Sequence, residues 1–248
     1  MTIAMVITAS PMFDSSAAAN QTQVHTFPPS LSGTDFLPEQ NPGGSIGLVI
    51  NGAFGAQDFG WGLAAGDFNA DGVDDLLVGF APNSPNPGQP PGGAALIFGV
   101  SDLSMGPDGV ELLDAFQGTI EPEQITLALH PEQTGYRVRN LGDLDNDGID
   151  DLGFNKRTPV VGGGFQDGQV FVLYGGPTVA QDFADFEALL PVNGGDGTRG
   201  FVLTGSDAEF LGRDFFGGED INGDGLDDLI VLSNREFDTT RGVGMAWV

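Results

Sequence analysis

Short apolar runs separated by turn-forming residues cover most of the chain after about residue 45. Examples are 46–50, 76–79, 94–98 and 229–232, which are rich in Val, Leu, Ile and Phe. Apolar runs of this length, bounded by Gly, Pro, Asn and Asp, predict β-strands whose two faces are both buried. The pattern therefore predicts an all-β protein built from many short strands.

One of the longer connections, residues 177–199, carries a different pattern. Phe183, Phe186, Leu189 and Leu190 stand at helical spacing within it. The segment can form one short helix, or it can cap the strands on either side of it. We favour the cap.

The strands and the loops between them repeat three times. Aspartate-rich loops begin at Asp67, Asp143 and Asp220, so that successive loops are 76 and 77 residues apart. About four strands in each unit, repeated radially, is the plan of a β-propeller. We predict units at about 53–129, 130–205 and 206–248, after a leader or flexible arm at 1–45.

Three units are fewer than the usual roughly four to eight blades of a propeller. Residues 46–52 resemble a lone fourth strand and could close the last blade, while the apolar run at 243–248 ends inside a strand pattern. We therefore predict a partial or open propeller of about three four-stranded antiparallel blades, belonging to a longer ring or array. A free blade edge would allow self-association or pairing with further blades.

Charge and composition narrow the class of ligand. The net charge is −27, from 35 acidic and 8 basic residues, and fourteen of the acidic residues lie within 67–75, 143–151 and 219–228. Such a surface attracts cations and repels nucleic acid and anionic lipid. No apolar run is long enough to span a bilayer, so we expect neither nucleic-acid binding nor membrane insertion. The absence of cysteine excludes disulfides and thiolate metal sites.

All three acidic loops fit the pattern D-x-[DN]-x-D-G-x-x-D. Calcium takes about six to eight oxygen ligands, and alternate positions 1, 3 and 5 of a tightly coiled loop can converge on one ion. Glycine at position 6 permits the sharp turn, position 7 offers its backbone carbonyl while its side chain packs inward, and position 9 closes the shell. The predicted ligands of about three Ca²⁺ ions are Asp67, Asn69, Asp71, Val73 and Asp75; Asp143, Asp145, Asp147, Ile149 and Asp151; and Asp220, Asn222, Asp224, Leu226 and Asp228.

Position 8 of each loop, Asp74, Asp150 or Asp227, is expected to point away from the ion. An EF-hand needs a glutamate at position 12, where this chain has Val or Phe, so these are not EF-hand loops. All-oxygen ligands disfavour zinc and redox metals, and magnesium demands a stricter octahedron. Turns that bind nothing are the alternative, but three copies in register, each with converging acids, argue against it.

Residues 59–79 read Phe-Gly-Trp-Gly-Leu-Ala-Ala-Gly-Asp-Phe-Asn-Ala-Asp-Gly-Val-Asp-Asp-Leu-Leu-Val-Gly. This stretch resembles the FG-GAP repeat of integrin α-subunit β-propellers and of many bacterial surface proteins, and the resemblance covers about 46–248, in the bacterial style. It implies that calcium binds in the hairpin between the first two strands of a blade. The middle copy departs from the pattern, with Thr134-Gly135 in place of Phe-Gly and Asn155-Lys156-Arg157 in place of Gly-Ala-Pro, so its blade is expected to pack less regularly.

The resemblance implies a calcium-binding module of a secreted, extracellular or cell-surface protein, one that mediates adhesion or binds a protein or glycan ligand. Two alternatives are the accessory propeller of a secreted hydrolase and a purely structural spacer stabilised by calcium. The first ten residues lack the basic start of a signal peptide. An exposed aromatic or apolar patch on the rim opposite the loops would favour binding; Trp61 and Tyr136 are expected to pack within the blades.

We expect no catalytic activity. His25 and His130 are the only histidines, and histidine is the usual base near neutral pH. His25 lies in the predicted arm and His130 in a predicted irregular turn before Pro131. Neither a G-x-S-x-G elbow nor a phosphate-binding loop occurs in the sequence.

Overall fold

The computed structural model describes residues 3–6, 48–51, 59–80, 92–99, 110–111, 125–130, 133–160, 164–205, 211–234 and 244–247. Almost all regular structure in these ranges is β-strand, as predicted. None of the helices in the described ranges is long and apolar enough to cross a membrane. The strands are β1 (Ile3–Val6), β2 (Leu48–Asn51), β3 (Gly62–Gly66), β4 (Asp75–Phe80), β5 (Gly92–Ile97), β6 (Val110–Glu111), β7 (Ile125–His130), β8 (Gln133–Gly142), β9 (Asp151–Val160), β10 (Gly164–Leu173), β11 (Gly200–Thr204), β12 (Asp214–Glu219), β13 (Asp228–Asn234) and β14 (Gly244–Trp247).

Three of the four sheets are antiparallel blades. The first has the strand order β3-β4-β5-β7, the second β8-β9-β10-β11, and the third, with three described strands, β12-β13-β14. In every blade, each strand pairs with the next strand of that blade along the chain. In the first blade, β5 pairs with β7, and β6 lies between them in the sequence. The predicted class, an all-β protein of four-stranded antiparallel blades in a partial propeller, is confirmed.

The fourth sheet lies outside this series. Strand β2 pairs antiparallel with β1 and parallel with β6. The segment considered as a closing strand for the third unit therefore pairs with β1 and β6, and not with β14. The segment considered as a leader or arm contributes β1, and its residues 7–45 lie outside the described ranges.

Both faces of the middle blade are buried, which explains its continuous apolar runs. Along β10, Phe171 and Leu173 pack into the cluster shared with the first blade, whereas Val170 and Val172 pack into the cluster shared with the third. Full burial of each such side chain contributes roughly 1.5–3 kcal/mol. Blade-against-blade packing is thus the main source of the core.

The connection from β10 to β11 forms helix α1 (Val179–Ala184) and two 3₁₀ turns, Phe186–Leu189 and Pro191–Asn193. The Phe186 ring centroid lies 5.1 Å from that of Phe154 and 4.8 Å from that of Phe171, edge-to-face in both cases. Both readings of the sequence therefore hold, because the segment is helical and its apolar residues cover the core of the first two blades.

The middle blade is less regular than the first, as its sequence predicted. Pairing of β8 with β9 shifts register twice, whereas β3 and β4 pair without a shift. Gly135, with φ of 81°, packs against the backbone of Gly93, where a side chain would collide. Asn155 compensates for the irregularity, since its Oδ1 accepts a hydrogen bond from the Arg137 backbone N–H at 2.8 Å.

One smaller expectation is wrong. His130 is the last residue of β7, paired opposite Gly92, and does not lie in an irregular turn. His25 lies outside the described residues.

Candidate metal centre

Each acidic loop joins the first two strands of a blade, namely β3 to β4, β8 to β9 and β12 to β13. The loops follow one another around a single rim, since the second and third are in direct contact: the Asp143 backbone N–H donates to Asp227 Oδ2 at 2.9 Å. We call this the loop rim. The repeat in the sequence has become a row of three equivalent turns.

The backbone of each loop is held by its own carboxylates. In the second loop, Asp143 Oδ1 and Oδ2 accept from the backbone N–H groups of Asp147 and Gly148, each at 2.9 Å, and Asp147 Oδ1 accepts from that of Ile149 at 2.9 Å. The same three hydrogen bonds recur at the matching positions of the other two loops. The three loops therefore share one conformation.

Two positions of this conformation need left-handed backbone. Position 6, the glycine singled out by the motif, has φ of 85°, 89° and 92° in the three loops. Position 4 is also left-handed but was not singled out, because its residue differs in each loop: Ala70, Asn146 and Gly223 have φ of 64°, 62° and 81°. Only glycine takes such angles without cost.

The second loop brings three carboxylates together. Oxygens of Asp143, Asp145 and Asp147, positions 1, 3 and 5, all lie within 4.8 Å of one another. Burial raises the pKa of Asp145, and the neighbouring Asp147 and Asp143 charges raise it further. A cluster of hard oxygen donors that repel one another fits Ca²⁺ or Mg²⁺ and does not suit a soft metal.

Position 9 has a second role that sequence reasoning missed. Asp151 is fully buried; its Oδ2 accepts from the Leu144 backbone N–H at 2.8 Å, and its Oδ1 accepts from that of Gly175, just beyond β10, at 2.9 Å. Asp75 repeats this with Phe68 and Gly99. These carboxylates anchor the loop to the third strand of its blade. The sequence signal was a glycine 24 residues after each of the two aspartates.

Burial governs the acidity of these two anchors. It raises the pKa of Asp75 to about 6 and that of Asp151 to about 7, because desolvation outweighs the hydrogen bonds that favour the charged form. Asp71 and Asp67 add to the shift at Asp75, as do Asp145 and Asp147 at Asp151. A cation in the loop would act against these carboxylate repulsions.

Position 9 of the third loop makes different contacts among the described residues. Asp228 is half-buried; its Oδ2 accepts from the backbone N–H groups of Ile221 and Asn222, and its Oδ1 from Asn222 Nδ2 at 2.9 Å. The expectation that position 7 packs inward also fails here, because Leu226 is 43% exposed. Val73 and Ile149, at the same position, are half-buried.

Position 8 links neighbouring blades. Asp150 Oδ2 accepts from Asn140 Nδ2 at 2.8 Å, and the same amide donates to the Ala65 carbonyl of the first blade at 2.9 Å. Asp227 makes the contact to Asp143 described above. Asp150 and Asp227 therefore serve the blade interfaces, whereas Asp74, at the same position of the first loop, is exposed.

The family model of the FG-GAP repeat matches residues 59–98, which hold β3, the first loop, β4 and β5. The chain carries an FG-GAP repeat. Integrin alpha-5 of Xenopus laevis is 29% identical to this FG-GAP chain over 215 residues, an alignment that covers 81% of the chain and 16% of the relative. The chain thus spans a small part of that relative's length. The resemblance to FG-GAP repeats of integrin α type is confirmed.

The rim opposite the loops differs from expectation. Trp61, just before β3, is 54% exposed and so does not pack within a blade. Its ring meets that of Tyr136 edge-to-face, with centroids 5.8 Å apart. Trp61 is thus an exposed aromatic residue on this rim beside a half-buried Tyr136, and an exposed aromatic or apolar patch there is the feature expected to favour a binding module over a spacer.

Proposed function

We propose that this FG-GAP chain is a calcium-stabilised binding module that acts outside the cell, in adhesion or ligand recognition. The observation that carries the proposal is the hydrogen-bonded conformation that the three loops share. In the second loop the three carboxylates lie within 4.8 Å of one another. Each loop would hold one Ca²⁺ through the predicted positions 1, 3, 5, 7 and 9.

Calcium would stabilise the fold at two levels. Within a loop it would neutralise carboxylates that otherwise repel one another, and between blades it would rigidify the segments that carry the position-8 contacts. Extracellular calcium saturates even sites with dissociation constants of about 10⁻⁴–10⁻³ M. This level of calcium is consistent with the proposed extracellular or cell-surface location. We propose that the units lie at about 53–129, 130–205 and 206–248, each with one loop.

The binding role draws on two supports. The likeness to integrin alpha-5 suggests an adhesion module with a protein ligand, and the exposed Trp61 gives the rim opposite the loops a contact surface. A structural spacer would not need that surface.

The test is a thermal melt of the whole chain in excess Ca²⁺, excess Mg²⁺ and chelator, together with calorimetric titration of the stoichiometry. We expect about three Ca²⁺ per chain. Saturation at a hundred times the dissociation constant adds about 2.7 kcal/mol for each site. A folded chain whose melting temperature does not respond to calcium would sink the proposal.

Variants in single loops test whether each loop binds one ion. Asp71→Ala, Asp147→Ala and Asp224→Ala each remove a position-5 carboxylate that is exposed, and each should reduce the stoichiometry by one. Asp196→Ala removes an exposed carboxylate outside the loops, and should leave three. An unchanged stoichiometry in all three loop variants would place the ions elsewhere.

A further inference from the structure

The three acidic loops are connected by hydrogen bonds that cross the blade interfaces. Between the second and third loops, Asp227 Oδ2 accepts from the Asp143 backbone N–H at 2.9 Å. Asp227 is position 8 of its own loop, and Asp143 is position 1, the first predicted ligand, of the other. The carboxylate that holds Asp143 therefore comes from the neighbouring blade, where it directly precedes Asp228, a predicted ligand of the third loop.

Position 8 occupies an equivalent place at the interface between the first and second blades. Asp150 Oδ2 lies so close to Gly66, the residue before the first loop, that a Cβ atom there would collide with it. Asp227 Oδ2 takes the same place at Gly142, the residue before the second loop. At both interfaces a glycine thus leaves room for the position-8 carboxylate of the next loop beside position 1.

A second connection joins the first two loops through the end of β10. Asp151, position 9 of the second loop, accepts from the Gly175 backbone N–H at 2.9 Å. The following N–H, that of Gly176, donates to the Phe68 carbonyl in the first loop at 2.8 Å. The Phe68 N–H donates to Asp75, position 9 of the first loop, at 3.1 Å. Two buried predicted ligands of neighbouring loops are thus joined by three hydrogen bonds and the peptide units between them.

We propose that neighbouring loops bind calcium cooperatively, and that Asp227 is a positioning residue that couples the third loop to the second. This inference rests on the proposed calcium role and deepens it. Calcium held in the third loop by Asp228 would fix the adjacent Asp227, and with it the Asp143 backbone that the second ion requires. The cost of ordering both segments then falls on the first ion, so that the second ion binds more tightly. By linkage, the second loop strengthens binding in the third by the same factor.

Charge acts in the opposite direction. An ion in one loop weakens the negative potential that attracts an ion to the next. At about 0.15 M ionic strength, however, exposed charges more than about 8 Å apart are largely screened. The hydrogen bond between Asp227 and the Asp143 N–H is direct and half-buried, so salt screens it less. The contact therefore decides the sign, and the coupling is positive.

The test is calorimetric titration with calcium, at physiological ionic strength, of full chains that retain one or two active loops. Asp71→Ala, Asp147→Ala and Asp224→Ala silence the loops, singly or in pairs, by removing exposed position-5 carboxylates. For the second and third loops, the product of the two association constants in the two-loop chain should exceed the product of the single-loop constants at least about fivefold. The first and third loops should bind independently, since the connections run between neighbours.

Variants of Asp227 identify the contact that carries the coupling. Asp227→Ala should abolish the excess between the second and third loops while both still bind calcium. Asp227→Asn removes the charge but keeps a side-chain oxygen as acceptor, and should restore most of the excess. Asp74→Ala, the matched control, changes the exposed position-8 carboxylate of the first loop and should leave the excess unchanged. A residue that only stabilised the fold would lower the melting temperature without changing this ratio.

A melt in chelator verifies that each variant is folded. Where Asp147→Ala does not fold, Asp147→Asn replaces it, because it keeps an acceptor for the Ile149 N–H. Equal products in the two-loop and single-loop chains would overturn the inference and leave the calcium role intact. An excess that survives Asp227→Ala, or two-loop chains that bind more weakly than the single loops, would overturn it too. A chain that binds no calcium would overturn both the inference and the proposed function.

Discussion

The second and third acidic loops share a motif and a backbone conformation but differ in what surrounds them. In the second loop, Asp151 is fully buried and joins the loop to Gly175 beyond β10. In the third, Asp228 is half-buried and bonds only within its own loop among the described residues. The local hydrogen bonds of positions 1 and 5 are the same in both.

This difference shows that the motif combines two functions, folding of the turn and anchoring of the loop. Positions 1, 3, 5 and 6 fold the turn by themselves, because their bonds are local. Position 9 acquires its burial, and with it the raised pKa of Asp151, from the strand that packs beside the loop. In the first two loops the closing residue of the ligand motif therefore also serves a structural purpose, which the motif by itself does not reveal.

The largest expected effect is on the pH dependence of the metal-free chain. Asp75 and Asp151 have folded-state pKa values of about 6 and about 7, whereas an unfolded aspartate titrates near 3.9. The folded state thus binds more protons between these values, so that stability falls as pH rises from about 4 to about 8, by on the order of 7 kcal/mol from the two groups together. Urea unfolding in chelator at several pH values measures this.

Two variants test whether Asp151 contributes to this dependence of stability on pH. Asp151→Asn should reduce the loss of stability between pH 5 and pH 8, while Asp228→Asn should retain it because Asp75 and Asp151 are intact. Stability that rises with pH over this window in the parent chain would contradict the assigned burial.

The next effect concerns the anchor itself. At pH 6 in chelator, Asp151→Ala should lower the free energy of unfolding by about 2 kcal/mol, since two backbone N–H groups lose their acceptor. Asp228→Ala should cost less than about 1 kcal/mol, because its site is more open to water. Denaturant midpoints give both values. Equal losses would mean that the two position-9 residues are equivalent after all.

A smaller effect is expected at the blade interface. Asp227→Ala removes the acceptor of the Asp143 backbone N–H, which joins the third loop to the second, and should cost about 1 kcal/mol. Asp74→Ala, at the same loop position in the first blade, changes an exposed side chain and should cost less than about 0.5 kcal/mol. Thermal unfolding of both variants tests whether position 8 stabilises the stack.

The smallest effect is in the turn. Ala70→Gly should raise stability by about 0.5 kcal/mol, because relief of the left-handed strain at φ of 64° exceeds the entropy that glycine adds to the unfolded chain. Asn146→Gly should gain less, as asparagine tolerates this conformation better than alanine. A larger gain for Asn146→Gly than for Ala70→Gly would refute this account of position 4.

Much of the fold could be predicted from the residues. The equal spacing of Asp67, Asp143 and Asp220 indicated three units, and apolar runs indicated strands buried on both faces. Helix α1 and the 3₁₀ turn after it were recognised only as alternatives, since four apolar residues at helical spacing also suit a cap. The pairing of β2 with β1 and β6 was not foreseen, because strand partners distant in sequence leave no periodic signal.

The sequence by itself determined the turns of the acidic loops, whose hydrogen bonds join residues two to five positions apart, and the strand pattern of the blades, which the short apolar runs predict. Tertiary structure alone decided which carboxylates are buried and which link blades. Asp150 and Asp151 are neighbours in sequence, yet one accepts a hydrogen bond from Asn140, whose amide also donates to the preceding blade, and the other is buried beneath its own loop. Burial and long-range charge depend on the packing of segments about 75 residues apart, which local patterns do not encode.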